Sequence, residues 1–435
     1  MQEEVDHLAH TVINGFGVAG MAIGIIKGEQ VYAKGYGVKS IETQEPVTAD
    51  SLFHLASISK TFVASAVVQL AEQGKLELDA PVLTYLPDFI LDDERYRQIT
   101  VRQMLSHTAG MPDTDDYCWD RPEYDDQALE RYVRSLAPEK LIASPGEKFA
   151  YSNIGYEVLG LLIARTSGQS FEDYIKQHLL LPLGMNSSTF LKTEVAPEHA
   201  TSPHILLPPA VVSSEYPYNR AHAPSSTLHS SAAELCSWAL MNLNRGELQG
   251  RHILQGTSFK QLWHPYRQTG TNYPDEFVGL SWFIDTYRGH RRIRHDGVDT
   301  GFQSDMVILP DQSIAVVALA NTIPAPMNMI MNAIVDLLLG LEPSIPKPPV
   351  LSSLGVVLSE HGIQGAADRY RCLQETGADQ YDFCLEQFLD IGYTLLEVRR
   401  YPECFRVLQL GLELFPDAPE IADLLTQLKS RVGKA

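Results

Sequence analysis

The chain has 435 residues, 44% of them hydrophobic and 20% charged, which is enough to bury a large core and to divide into two domains. Its 54 Asp and Glu against 34 Lys and Arg give a formal charge of -20, which disfavours nucleic acid and anionic membrane surfaces as partners. The start, MQEEVDHLAH, has neither the basic nor the apolar region of a signal peptide, so the protein as written is expected to be cytoplasmic, and exported only if a leader was removed.

His7 and His10 sit one turn apart near the start, but no further ligand pattern accompanies them, and they read as exposed helix residues. Gly15, Gly17 and Gly20 spell G-x-G-x-x-G ahead of a strand-like run instead of after one, which rules against a dinucleotide fingerprint. Met21 to Ile26 and Gln30 to Gly37 are predicted to form a hairpin turning at Lys27-Gly28-Glu29, paired with strands around 280 to 320 in one antiparallel sheet.

Next comes FHLASISKTFVASAVVQLAEQG, predicted as an amphipathic helix with Phe62, Val63, Ala66, Val67 and Leu70 at helical spacing and Gly74 as its stop. Ser57 and Lys60 fall on one face of its first turn, so the hydroxyl has a base beside it and oriented N–H groups around it. Tyr151-Ser152-Asn153 follows the Pro145-Gly146 turn and opens a second apolar helix. The stretch from about 190 to 275, with PHILLPPAVVSSEYPYNRAHAPSS near its start, reads as loop-dominated, and Tyr117, Trp119, Tyr216 and Tyr218 are candidate pocket walls or ordinary packing aromatics. His295-Asp296-Gly297 lies between strand-like RRIR and two further strands joined at Pro310-Asp311. The alternation of a strand turns Arg292 and Arg294 away from His295.

Met327 to Gly340 is predicted as the amphipathic last helix of this unit, with Ile330, Ile334, Leu337 and Leu338 on one face. Its polar interruptions keep it from being a membrane span. The Pro-rich run 341–353 marks a linker between a domain over residues 1–340 and a helical region over 354–435. Cys118, Cys236, Cys372, Cys384 and Cys404 show no disulfide framework and no zinc spacing, so free, mostly buried thiols are expected. Neither G-x-S-x-G, H-E-x-x-H nor G-x-x-x-x-G-K-[ST] occurs, and no metal or organic cofactor is implied.

Ser57-x-x-Lys60, Tyr151-Ser152-Asn153 and His295-Asp296-Gly297, in this order, resemble the serine beta-lactamase and penicillin-binding-protein superfamily, in the branch with class C beta-lactamases, family VIII carboxylesterases and D-amino peptidases. The phrases Ile99 to Asp113 and Leu181 to Phe190 carry the resemblance further, and it runs from about residue 10 to 340. It implies an α+β fold, with an antiparallel sheet flanked by helices, a helical subdomain carrying Ser57, Lys60, Tyr151 and Asn153, and a site where the sheet edge meets that subdomain. The all-α tail follows. Phe388, Ile391, Gly392, Cys404, Leu408, Gly411 and Pro416 make it resemble a tetratricopeptide-type unit, with a role as cap, dimer surface or peptide-binding element.

By the same resemblance Ser57 is the acylating nucleophile, Lys60 its proton partner, Tyr151 a general base and Asn153 a substrate contact. The residues leave open whether Tyr151 or Lys60 holds the proton. His295 and Gly297 match the third motif, with the Val298 N–H joining that of Ser57 in an oxyanion hole and Gly297 allowing a substrate carbonyl close to the strand. Beta-lactamases usually carry Lys where this chain has His295, so a substrate carboxylate loses a fixed positive partner. The expectation is a serine hydrolase acting on a small-molecule or peptide-like ester or amide. The alternatives are a beta-lactamase or D-alanyl peptidase, an acyltransferase, or a non-catalytic penicillin-binding or partner-binding protein.

Overall fold

The computed structural model of the protein describes residues 1–114, 116–206, 209–271 and 275–432. Among the described residues one sheet holds eight strands: β1 (Gly20–Lys27), β2 (Gln30–Gly37), β3 (Arg267–Gln268), β4 (Phe277–Val278), β5 (Phe283–Tyr287), β6 (His290–Asp299), β7 (Phe302–Leu309) and β8 (Ile314–Ala320). Their order is β2-β1-β8-β7-β6-β5-β4-β3, antiparallel throughout. The predicted hairpin is present, with Lys27 opposite Gln30 and Gly28 at φ 61°, a left-handed angle that glycine takes without strain. The expected pair on either side of Pro310-Asp311 is β7 and β8.

The longer helices are α1 (Gln2–Phe16), α2 (Ser59–Glu72), α3 (Asn153–Ser167), α4 (Ala232–Leu243) and α5 (Met327–Leu339), followed by α6 (Val350–Thr376), α7 (Glu386–Glu397), α8 (Tyr401–Leu414) and α9 (Pro419–Val432). The period of two sorts the central strands between two cores. Ile23, Ile25, Val316 and Ala318 face α1 and α5, while Ala22, Ile26, Val317 and Leu319 join the core that holds α2, α3 and α4. Each buried Ile or Val contributes roughly 1.5–3 kcal/mol over exposure, so strands apolar on both faces settle at the centre of the sheet.

Three expectations need correction. Helix α2 is not amphipathic, because Ser59 to Val68 are all buried: α3 lies on one side and Trp238 of α4 stacks on Phe62 at 3.8 Å. The stretch 190–275 is rich in loops but not loop throughout, since it contains α4, capped by Ser231, whose side chain accepts from the Glu234 N–H. Residues 207–208 and 272–274 of that stretch lie outside the described residues. The thiols are all free, but only Cys236 and Cys404 are buried, and Cys372 is exposed.

His7 and His10 are exposed on α1, as expected, and Gly17, at φ 73°, caps the C-terminus of that helix, away from any helix start. Helix α6 begins at Val350, inside the Pro-rich run, and Gly362 breaks it with a non-helical backbone. In the tail, small residues allow close packing as expected. A Cβ at Gly392 would stand 2.7 Å from Leu408 Cδ2, and one at Gly411 would stand 2.7 Å from Ile421 Cδ1. Pro416, in contrast, is exposed. No helix among the described residues is long and apolar enough to cross a membrane.

Candidate active site

Ser57 lies on a tight turn, Ala56–Ile58, that runs directly into α2 and sets Ser57 and Lys60 on one face. Ala56 just before it has φ 47°, a left-handed angle that costs a non-glycine residue about 1–2 kcal/mol. Lys60 Nζ donates to Ser57 Oγ at 2.9 Å and to the Ser225 carbonyl at 2.8 Å. Lys60 is wholly buried. Loss of water pushes its pKa down to about 8, against the opposing pull of the carboxylates of Glu157, Asp113, Asp299 and Asp296. Ser225 is fixed in turn, because its hydroxyl donates to the buried Glu157 Oε1 at 2.5 Å, and His222 Nδ1 lies 3.2 Å from the same oxygen.

The middle residue of Tyr151-Ser152-Asn153 is the cap of α3: Ser152 Oγ accepts from the Gly155 N–H at 3.1 Å and donates to the Pro112 carbonyl at 2.6 Å. Tyr151 and Asn153 therefore stand on either side of a fixed helix start. His107 clamps the same segment, since its carbonyl accepts from the Ala150 N–H at 2.8 Å and its Nδ1 from the Ser152 N–H at 3.1 Å. The His107 ring then stacks on Tyr151 at 4.2 Å, nearly parallel at 19°. This residue is buried at φ 52°. Burial holds the Tyr151 phenol well above 10, while its contact with the Ser57 hydroxyl pulls the other way. Burial also pushes His107 well below its ordinary pKa, so its ring is neutral.

Strand β6 supplies the third side. Beyond the Phe283–Arg294 pair it has no β5 partner, whereas its pairing with β7 continues to Asp299–Phe302. A strand inside the sheet thus has an open edge from His295 to Asp299. In a two-residue hairpin the closing pair exchanges hydrogen bonds, and both ends of β6 have this geometry, so the Val298 N–H turns to the open edge. The Ser57 turn fills that edge: a Cβ at Gly297 would stand 2.5 Å from the Leu55 carbonyl oxygen and 2.7 Å from Ser57 N. The room Gly297 provides is taken by the protein's own nucleophile turn, not by the substrate carbonyl expected from the sequence.

His295 is buried, its Nδ1–H donates to the Asp296 carbonyl at 2.7 Å, and desolvation together with the nearby Lys60 charge lowers its pKa to about 3. It is a neutral ring in the tautomer that leaves Nε2 as an acceptor. Arg292 does not line the cavity that His295 lines, in line with strand alternation, whereas Arg294 does line it. Arg292 makes a bidentate pair with Asp285 at 2.7 and 2.6 Å, and Arg294 pairs with Glu276 and Asp296. A 430 Å³ cavity opens over Ser57, walled by Tyr151, Phe149, Phe283, His295 and Val298. Asn153 Nδ2 contacts Tyr117 Oη at 2.5 Å and Asp113 Oδ2 at 3.0 Å.

Of the seven residues singled out in the sequence, Ser57, Tyr151, His295, Gly297 and Val298 line this cavity, Lys60 touches Ser57 from the buried side, and Asn153 is engaged with Asp113 and Tyr117. Of the four aromatics, Tyr117 and Trp119 line a cavity, whereas Tyr218 is buried and the Tyr216 hydroxyl bonds to His229 Nε2 at 2.9 Å. Glu157, Ser225 and His107 escaped the sequence reading. A signal existed for two of them, a carboxylate inside the apolar run IGYEVLGLLIA and a histidine inside SHTAGMPD.

The family model described as Beta-lactamase matches residues 7–340, ending at the glycine that caps α5. The chain is 28% identical over 322 residues to Protein flp of Staphylococcus aureus strain MW2, covering 74% of this chain but only 63% of that protein's length. It is 29% identical over 321 residues to Penicillin-binding protein 4 of Amycolatopsis lactamdurans, covering 70% and 81% of the two chains. Among solved structures it is similar to the octameric penicillin-binding protein homologue from Pyrococcus abyssi, with a TM-score of 0.69 and 27% identity over 82% of this chain and 81% of that one.

Proposed function

This chain belongs to the beta-lactamase family, and within it we propose a serine hydrolase that cleaves an ester or amide through an acyl-enzyme on Ser57. The observation that carries the reading is a buried lysine, with a pKa near 8, whose Nζ is 2.9 Å from the Ser57 hydroxyl. In the neutral amine the same contact reverses, with Ser57 O–H donating to Nζ. The Ser225 carbonyl holds one Nζ–H and so aims the lone pair at Ser57. Of the two bases left open by the sequence, Lys60 gives up its proton first, because burial lowers the amine and raises the phenol. Neutral Lys60 then takes the Ser57 proton as Oγ bonds to the carbonyl carbon, and Tyr151 relays that proton to the leaving alcohol or amine as its bond to the carbonyl carbon breaks. The N–H groups of Ser57 and Val298 receive the developing oxyanion, each worth roughly 3 kcal/mol of barrier.

The preference for esters and amides over beta-lactams rests on His295. With a pKa of about 3 it offers no positive charge to a substrate carboxylate, and Arg294, the arginine that does line the cavity, is paired there with Glu276 and Asp296. It supports a reading nearer the carboxylesterase and D-amino peptidase side of the family. The test compares a short-chain p-nitrophenyl ester with a chromogenic cephalosporin. Ester turnover without cephalosporin turnover agrees with the reading, whereas the reverse preference assigns a beta-lactamase or penicillin-binding enzyme. The region from 354 onward is read as a tetratricopeptide-type unit on the strength of the close packing at Gly392 and Gly411.

The pH profile follows from the lysine. Below about 8, Lys60 is an ammonium and cannot take the Ser57 proton, so kcat/KM should rise roughly tenfold per pH unit up to about 8 and level off above it. His295 and His107, both lowered, add no limb near pH 6.5. A profile governed by a single group near 6.5 would assign the base to an imidazole instead.

His107 is a positioning residue for Tyr151. In His107→Asn the new side chain tolerates the left-handed backbone and can still accept from the Ser152 N–H, but the ring under Tyr151 is gone. A fall of about tenfold in kcat with KM nearly unchanged is expected, since only the phenol's placement is disturbed. Equal losses in His107→Ala and His107→Asn, both through KM, would contradict that role.

A further inference from the structure

A second cavity, of 300 Å³, opens beside the first. The two share Val298, which is 51% exposed at the end of β6. Tyr117 lines the second cavity, and its hydroxyl touches Asn153, two residues along from Tyr151 of the first. One wall is aromatic, with the rings of Tyr117 and Trp119 stacked at 5.1 Å and 14°. The opposite wall is Val398 and Arg399, the turn between α7 and α8, and it is tethered across the opening by Arg399 Nη2, 4.0 Å from Asp116 Oδ1. Part of this second cavity is therefore built from the helical tail, about 100 residues beyond β6 in the chain.

We propose that the tail completes the active site, and that this cavity is a distal subsite for the part of the substrate remote from the scissile bond, an extended apolar group ending in an ammonium. The apolar part of the assignment comes from the Tyr117–Trp119 platform facing Val298, Ile323 and Val398. Its charge comes from the rim: Asp116 is paired with Arg121 and Arg399, and Asp299 with His54, but Asp120 and Glu215 add further carboxylates, and the five acidic residues that line the cavity outnumber Arg399 and Arg431. An ammonium there has an aromatic face and carboxylates in reach, and an anionic group meets repulsion. The assignment rests on the serine hydrolase reading.

The test uses the full chain and two matched pairs, p-nitrophenyl 6-aminohexanoate against p-nitrophenyl heptanoate, and 6-aminohexyl acetate against heptyl acetate, so that the extension lies on either side of the ester. In one pair the ammonium member should have the higher kcat/KM by about tenfold, falling as salt is raised. Val398→Trp fills the cavity from a residue outside the catalytic machinery. It should lower kcat/KM for both extended members of that pair by about tenfold and leave p-nitrophenyl acetate turnover unchanged. Arg399→Asn suits the φ of 59° and removes a positive charge from the rim, so the ammonium preference should rise about threefold. Equal rates within both pairs, or extended substrates indifferent to Val398→Trp in a protein that keeps its acetate activity, would overturn the subsite. Undiminished acetate turnover in Ser57→Ala would instead overturn the acyl-enzyme reading beneath it.

Discussion

Ser57→Ala should lower kcat/KM for every substrate the protein turns over by at least about 10⁴-fold, with a melting temperature close to that of the parent. On the proposed mechanism the loss is large because the hydroxyl is the reacting atom, the one on which Lys60, Tyr151 and the two N–H donors would act. The stability effect is small because the deletion removes one oxygen from a half-buried side chain, and Lys60 Nζ keeps its bond to the Ser225 carbonyl. Steady-state kinetics with a p-nitrophenyl ester, beside thermal unfolding of both proteins, measures the two together. Residual activity near wild type would show that another group carries the reaction.

Gly297→Ala is the second large effect, a loss of about 10²- to 10³-fold in kcat accompanied by a lower melting temperature. The added methyl group would meet the Leu55 carbonyl oxygen at 2.5 Å, Ser57 N at 2.7 Å and Ser304 Oγ at 2.8 Å. Two of these atoms are backbone, so no rotamer change relieves the contact and the Ser57 turn must move off the open edge of β6. That motion separates the Ser57 N–H from the Val298 N–H, and an oxyanion hole depends on both donors pointing at one place. The chain is already strained there, with Ala56 at φ 47°, so the turn has little freedom to compensate. Kinetics and unfolding of this variant against the parent provide the check. A stable Gly297→Ala protein with full activity would mean that the two elements are not in contact.

Much of this site was legible because its parts are local. A serine and a lysine three apart at a helix start share a face whatever the tertiary fold, and a hairpin such as 20–37 declares itself by two strand-like runs on either side of Gly28. What stayed hidden depends on which strand ends first. Nothing in the residues 283–299 says that β5 pairs only as far as Arg294, yet that shortfall creates the edge at which Val298 and Ser57 meet. The clamp on Tyr151 by His107, 44 positions earlier, and the support of Lys60 by Ser225 and Glu157 are likewise tertiary. Helix α4 is obscured for another reason: the Pro, Ser and His around its 12 residues dominate the composition of residues 190–275. Helix α2 was misjudged as amphipathic because small residues, such as Ala64, Ser65 and Thr61, can be buried on what looks like a polar face.

The most direct measurement is intact-protein and peptide mass spectrometry on samples quenched during turnover of a slowly deacylating p-nitrophenyl ester. An added mass equal to the acyl group, carried on the peptide that contains Ser57 and absent from Ser57→Ala, is the result predicted here. Turnover with no adduct at any quench time, or an adduct on a different residue, would contradict the acyl-enzyme on Ser57.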